Sequence, residues 1–146
     1  MNIVIEILQN KYIYVPFLVW FAVQAFKVIY ELIKNKEFNF KRIVGAGGMI
    51  SSHSATMATI TTLIGKYEGV KTPLFAFAII ASFIVMYDAC GVRRAAGNQA
   101  KMLNRLSEKA EFTDIKNDKK LVENLGHTPM QVVAGAILGF IVGIFA

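Results

Sequence analysis

His53 and His127 are the only two histidines of the chain, and each stands at the entrance of an apolar stretch long enough to enter a membrane. The first lies in Gly47-Gly48-Met49-Ile50-Ser51-Ser52-His53-Ser54-Ala55, the second in Gly126-His127-Thr128-Pro129-Met130-Gln131. An imidazole is a nucleophile and a proton donor or acceptor near neutral pH. Gly48 permits close backbone approach, the N–H groups of a helix start favour an anion, and Ser51 and Ser52 add hydroxyl donors. A serine N-cap beside an interfacial histidine is the plainer reading of the same residues. Two imidazoles, a glycine–serine turn and nearby arginines are together the parts needed to hold and transfer a phosphate.

Arg93 and Arg94 follow Asp88 at the end of another apolar stretch. Arginine grips phosphate through paired donors, and Arg93 is the stronger expectation of the two. Asp88 is either their ion-pair partner or a supporting carboxylate. Lys27 sits inside an apolar segment, three residues after Gln24 and four before Glu31. It either snorkels to the interface or serves the site, since charge inside a membrane is costly. No metal is expected: the chain has no HxxxH or HExxH spacing, and arginines repel a cation.

These residues must be positioned by something, and composition says what. Of 146 residues, 55% are hydrophobic, and the mean hydropathy is +0.47. That is one domain's worth of chain, too apolar for an ordinary soluble domain. The lone Cys90 excludes an intrachain disulfide and a CxxC site. Met1 to Asn10 lacks a basic start and a small-residue cleavage site, so no removable signal peptide is expected. The net charge of +6 lies in loops between apolar segments, which points to membrane topology and not to nucleic acid.

We expect an all-α, polytopic helical bundle of about four spans, at 12–33, 48–64, 73–89 and 129–146, each near the ~20 residues needed to cross a bilayer. Lysine and arginine concentrate at 34–42 and 93–120, so the loop at 90–128 and the histidine face are expected in the cytoplasm. After Gly97 the loop reads as an amphipathic helix with Ala100, Leu103 and Leu106 along one side, followed by a charged surface segment from Glu108 to Glu123. In the last span His127, Gln131, Gly135, Gly139 and Gly143 recur every fourth residue, which stacks them on one helical face. Small residues at that spacing let membrane helices approach closely, and they leave room for a homodimer.

Three segments carry a resemblance: 47–55, Val85-Met86-Tyr87-Asp88-Ala89-Cys90-Gly91-Val92-Arg93-Arg94-Ala95-Ala96-Gly97-Asn98-Gln99-Ala100, and 126–135. They resemble the divergent PAP2 family, related to acid phosphatases and vanadium-dependent haloperoxidases, over nearly the whole chain. The resemblance implies a PAP2-like core with His127 as nucleophile, His53 as general acid and Ser51 and Ser52 as the anion-binding turn. It implies vanadate or phosphate as active-site ligand and no required cofactor. The chain departs from the PAP2 pattern: Ile50 and Ser52 replace the proline and glycine of the Pro-Ser-Gly-His motif. Gln131 takes the position of the acid that orients the nucleophile, where it can fix a tautomer without supplying charge. The Lys-x6-Arg-Pro motif is missing, so Arg93 and Lys27 would have to substitute from other helices.

The expected protein is an integral, multi-pass membrane phosphatase acting on a lipid phosphate or pyrophosphate, in the cell membrane if bacterial, among membrane lipids. A non-catalytic anion- or lipid-phosphate-binding protein and a small oligomeric transporter are the alternatives. Haloperoxidase activity is the least expected.

Overall fold

The computed structural model describes residues 2–35, 50–109 and 120–146. Gly48 and most of the charged segment after Glu108 lie outside them, so the expectations placed there are not addressed by the structure. The described residues form six helices: α1 (Ile3–Gln9), α2 (Lys11–Asn35), α3 (Ser52–Tyr67), α4 (Pro73–Cys90), α5 (Val92–Lys109) and α6 (Pro129–Phe145). Among them there is no strand, as expected of an all-α chain.

Local chemistry sets the ends. Thr72 and Thr128 each cap a helix whose next residue is a proline, where the missing N–H costs nothing. Ser51 caps α3 through its side chain, which accepts from the Ser54 N–H, with no proline after it. Gly91 ends α4, and α5 starts at once, so the amphipathic helix begins at Val92 and not after Gly97. The short α1, fully exposed with Ile3, Val4, Ile5 and Leu8, is an element that the sequence reading left out.

α3 is the central helix, packed by α6, α2 and α4. Its contacts at the two ends fix the directions. Tyr12, at the start of α2, donates to the Glu68 carboxylate just past α3, while the Lys27 charge reaches His53 at the α3 start. α2 therefore runs antiparallel to α3. Lys66 Nζ and Tyr67 Oη donate to the carbonyls of Ile144 and Ala146, satisfying the exposed C-terminal carbonyls of α6, which runs parallel to α3.

The contact between α3 and α6 is made by small residues. Gly135, Gly139 and Gly143 are buried, and a Cβ at Gly139 would collide with the Ala55 carbonyl and approach the Ala58 Cβ at 2.9 Å. A Cβ at Gly143 would approach Thr62 Cβ at 2.6 Å. The glycine stripe thus faces α3, as its spacing predicts for close packing.

The polarity is inside out. Ser51, Ser52, Ser54, Thr59, Thr61 and Ser82 are buried, whereas Phe17, Phe21, Phe77, Ile80, Phe83 and Phe140 are exposed. The buried hydroxyls pair locally: Thr61 Oγ1 lies 2.7 Å from Ser82 Oγ, and Thr59 Oγ1 donates to the carbonyls of Ala55 (2.8 Å) and Gly139 (3.2 Å). Polar groups as glue between helices and apolar side chains outward is how a bundle meets lipid, not water.

Among the described residues, two helical stretches are long and apolar enough to cross a membrane: Lys11–Ile33, and Pro73–Glu108, which takes in α4 and α5. The four spans expected from the sequence are thus matched by two on this measure. α6 is apolar but shorter, at 17 residues, and α3 is diluted by serine and threonine because it is the buried core.

Candidate functional site

At the end of the bundle where α3 and α6 begin, the two imidazoles meet. The His53 and His127 rings lie 6.2 Å apart, centroid to centroid, at an interplanar angle of 73°. His127 is 2% exposed. Neither of its ring nitrogens has a hydrogen-bond partner among the described residues, nor does His53 Nδ1. Buried polar atoms are satisfied in the great majority of cases, by protein, ordered water or a bound group, and these three nitrogens have hydrogen-bonding capacity to give to such a partner.

His127 is held by its backbone, not by a helix. It precedes the N-cap Thr128, so it is not the first member of the glycine stripe, contrary to the four-residue spacing. Its N–H donates to the Ala89 carbonyl at 2.9 Å, which ties it to the end of α4. Gly126 just before it has φ +80°, and a Cβ there would collide with the Arg94 backbone. Only glycine fits at that contact. Further back, Asn104 Nδ2 donates to the Leu121 carbonyl and Asn104 Oδ1 accepts from the Leu121 N–H, both at 2.9 Å. Gly97 lies against the carbonyls of Glu123 and Leu125, at 2.7 and 2.8 Å from a hypothetical Cβ. The packing face of α5 is therefore Gly97, Ala100 and Asn104. Leu103 and Leu106 are exposed, which corrects the face read from the sequence. Leucines mark the inner face in a water-soluble helix, but beside apolar surroundings the small and polar residues go inward.

Gln131 does not orient His127. Its Oε1 accepts from the Thr128 N–H at 2.9 Å while Thr128 Oγ1 accepts from the Gln131 N–H at 3.3 Å, a reciprocal capping box. Ser51 Oγ is likewise committed: it accepts from Ser54 N (3.3 Å) and Ser54 Oγ (2.9 Å), and the Ser51 N–H donates to the Gln131 carbonyl. The plainer N-cap reading holds for Ser51, which locks α3 to α6 and thereby sets the distance between the histidines. Ser52 is buried in the first turn of α3.

The cations surround the pair. Lys27 is buried, at 8% exposure, and does not snorkel. Its charge, with that of Arg93, reaches both histidines. Arg93 Nε pairs with Asp88 Oδ2 at 2.5 Å, with both side chains partly exposed. Arg94 is exposed and contributes its backbone to the Gly126 contact. Burial, then the Lys27 charge, then the neighbouring His53 and Arg93, push the His127 imidazole down to about 4. It is neutral at pH 7, with a lone pair available. One residue the sequence reading overlooked is Thr56, whose buried Oγ1 has no partner among the described residues. It lies three residues after His53, hence on the same face of α3. No group of three or more metal-ligating side chains occurs among the described residues.

The chain is 35% identical over 129 residues to an uncharacterized membrane protein of Bacillus subtilis, YuiD, covering 81% of this chain and 82% of that one. No solved structure matches. The sequence pattern of the divergent PAP2 family matches residues 8–142, which include both histidines, Lys27, Asp88 and Arg93, and the chain belongs to that family.

Proposed function

We propose that this protein is a membrane-embedded phosphatase that removes phosphate from a lipid phosphate or pyrophosphate by way of a phosphohistidine. The observation that carries this reading is the buried, neutral His127, with no hydrogen-bond partner on either ring nitrogen among the described residues and the His53 ring 6.2 Å away. At that separation one tetrahedral phosphoryl group can touch both rings.

In the first step the His127 lone pair attacks phosphorus and the bond from phosphorus to the lipid oxygen breaks. Protonated His53 gives its proton to that leaving oxygen. In the second step water attacks the phosphohistidine, His53 takes the water's proton, and the P–N bond breaks to release phosphate and restore His127. Lys27 and Arg93 offset the charge on the equatorial oxygens, Arg93 by sharing its guanidinium between Asp88 and the phosphoryl group. The bundle lies in the bilayer with this face to the cytoplasm, so a lipid's head group reaches the histidines while its tail stays among apolar side chains.

A second reading, a protein that binds the phosphate without turnover, is favoured by one observation. Neither Gln131, which caps α6, nor Asp88, which pairs with Arg93, touches a His127 nitrogen. Phosphate release from a panel of lipid phosphates, measured on purified wild type and His127→Ala in detergent, separates the two. The phosphatase reading expects turnover that disappears in the variant. Vanadate binding by an inert wild type would replace it with the binding reading.

A further inference from the structure

α4 has 18 residues, a rise of about 27 Å at 1.5 Å each, which by itself accounts for one passage of the bilayer core. At Gly91 the backbone leaves the helical region (φ −99°, ψ −93°), so α5 starts on a path of its own. α5 carries five basic residues and one acidic residue, too much charge for the hydrocarbon interior. Its surface divides into three stripes. Gly97, Ala100 and Asn104 are buried, and Gly97 and Asn104 meet the segment 121–125. Val92, Leu103 and Leu106, with Met102 at their edge, form an apolar stripe that is 54–67% exposed. Arg94, Lys101 and Arg105, spaced by seven and then four residues, share a third side and are exposed too. The one acid, Glu108, is engaged by Lys120 and leaves that basic stripe uncompensated.

We infer that α5 lies in the plane of the membrane surface and binds anionic lipids, its apolar stripe in the acyl-chain boundary and Arg94, Lys101 and Arg105 on the lipid phosphates. An exposed apolar stripe beside an exposed basic one on a single helix is the pattern of an interfacial helix, and the basic stripe selects an anionic surface over a zwitterionic one. In water the same helix would leave four large apolar side chains uncovered. The inference stands apart from the phosphate chemistry proposed above, yet it bears on where that site sits. A Cβ at Gly126 would collide with the Arg94 backbone, so the chain entering His127 lies at the depth of α5, the level of the lipid head groups.

The test places a polarity-sensitive fluorophore on the full chain in nanodiscs of phosphatidylcholine, with or without phosphatidylglycerol. Cys90, the only cysteine, is replaced by serine, and a single cysteine is set at Leu103 or at Asn98, which is exposed toward the basic side. Leu106→Cys repeats the reading on the apolar stripe, so that one unstable variant does not decide it. Two quenchers are compared: bromine on the lipid acyl chains, and acrylamide in the water. At 103 and 106 the lipid is expected to quench and acrylamide to be shut out, and at 98 the reverse. Phosphatidylglycerol is expected to raise lipid quenching at 103, and that rise to be lost in Lys101→Gln/Arg105→Gln. Acrylamide quenching at both 98 and 103 would mean that α5 stands in water, and lipid quenching at both that it continues α4 through the bilayer; either overturns the inference. A label at 103 that neither quencher reaches would put protein on the stripe and overturn it as well. Lipid quenching at 103 that ignores phosphatidylglycerol overturns the choice of anionic lipid.

Discussion

The carboxamide of Asn104 grips the backbone of Leu121 from both sides, donating to its carbonyl and accepting its amide N–H at 2.9 Å each. Six residues later the chain delivers His127. Asn104→Ala removes both bonds and leaves two backbone groups to find other partners, a cost of about 1–3 kcal/mol. Asn104→Asp keeps the acceptor and loses the donor. Thermal unfolding in detergent is expected to rank wild type above Asp and Asp above Ala. Vanadate affinity should fall in the same order, because the segment holding His127 is loosened. Unchanged vanadate affinity in a folded Asn104→Ala protein would show that His127 is fixed by the Ala89 contact alone.

The glycine stripe makes a second prediction. At Gly139 the obstacle to a side chain is the Ala55 carbonyl, which belongs to the backbone of α3 and cannot rotate away. Gly139→Ala must separate the two helices or bend one, and overpacking of this kind costs about 1–3 kcal/mol. Ala134 lies on the exposed face of α6, so Ala134→Leu serves as a control of the opposite expectation. The midpoint of thermal unfolding should drop for Gly139→Ala and hold for Ala134→Leu. Equal midpoints would mean that the helices are not in contact at this residue.

How much of this was legible beforehand follows the physics of each feature. Long apolar runs placed α2, α4 and α6 within a few residues of where they lie, because hydropathy alone decides them. The start of α5 was missed because Gly91 looks like a break of several residues, yet it ends one helix and the next begins immediately. Residue type alone picks out His53, His127, Lys27 and Arg93, and the fold brings the two rings together within reach of both charges. Their partners were not readable. The resemblance gives Gln131 the role of fixing the His127 tautomer and Ser51 that of binding an anion, but a side chain beside a helix N-terminus is first claimed by the unpaired N–H groups there. The role of Asn104 depends on a segment 17 residues away, and no local pattern announces it.

The burial of His127 sets a pH dependence. Its imidazole is held at about 4, against an ordinary value of 6.5. Between those two values the unfolded chain binds a proton that the folded chain refuses, so this residue lowers folding stability as pH falls from 6.5 to 4 and has no effect above that window. Removing the nearby positive charge by Lys27→Met should raise the His127 value toward 6.5. Imidazole resonances of isotope-labelled histidine, followed across the titration with His53→Ala to assign them, read this directly. A His127 that titrates near 6.5 in the wild type would place the ring in contact with water.

Gln131 offers the sharpest contrast between what its sequence position suggested and what its side chain touches. As the third residue of the α6 capping box it supplies the acceptor for the Thr128 N–H, one residue from His127. Gln131→Met removes that acceptor, and loss of an N-terminal cap costs about 0.5–2 kcal/mol. Gln131→Glu keeps an acceptor at the same place and sets a negative charge at a helix N-terminus, where the peptide dipoles favour it. Thermal stability should therefore fall for Met and be held or raised for Glu. If Gln131 acted on the imidazole instead, Met would leave stability untouched and would shift only the titration of His127. Because the two readouts move separately, measuring both on the same pair of variants decides between a cap and a tautomer clamp, and the hydrogen bonds at Thr128 put the expected effect on stability.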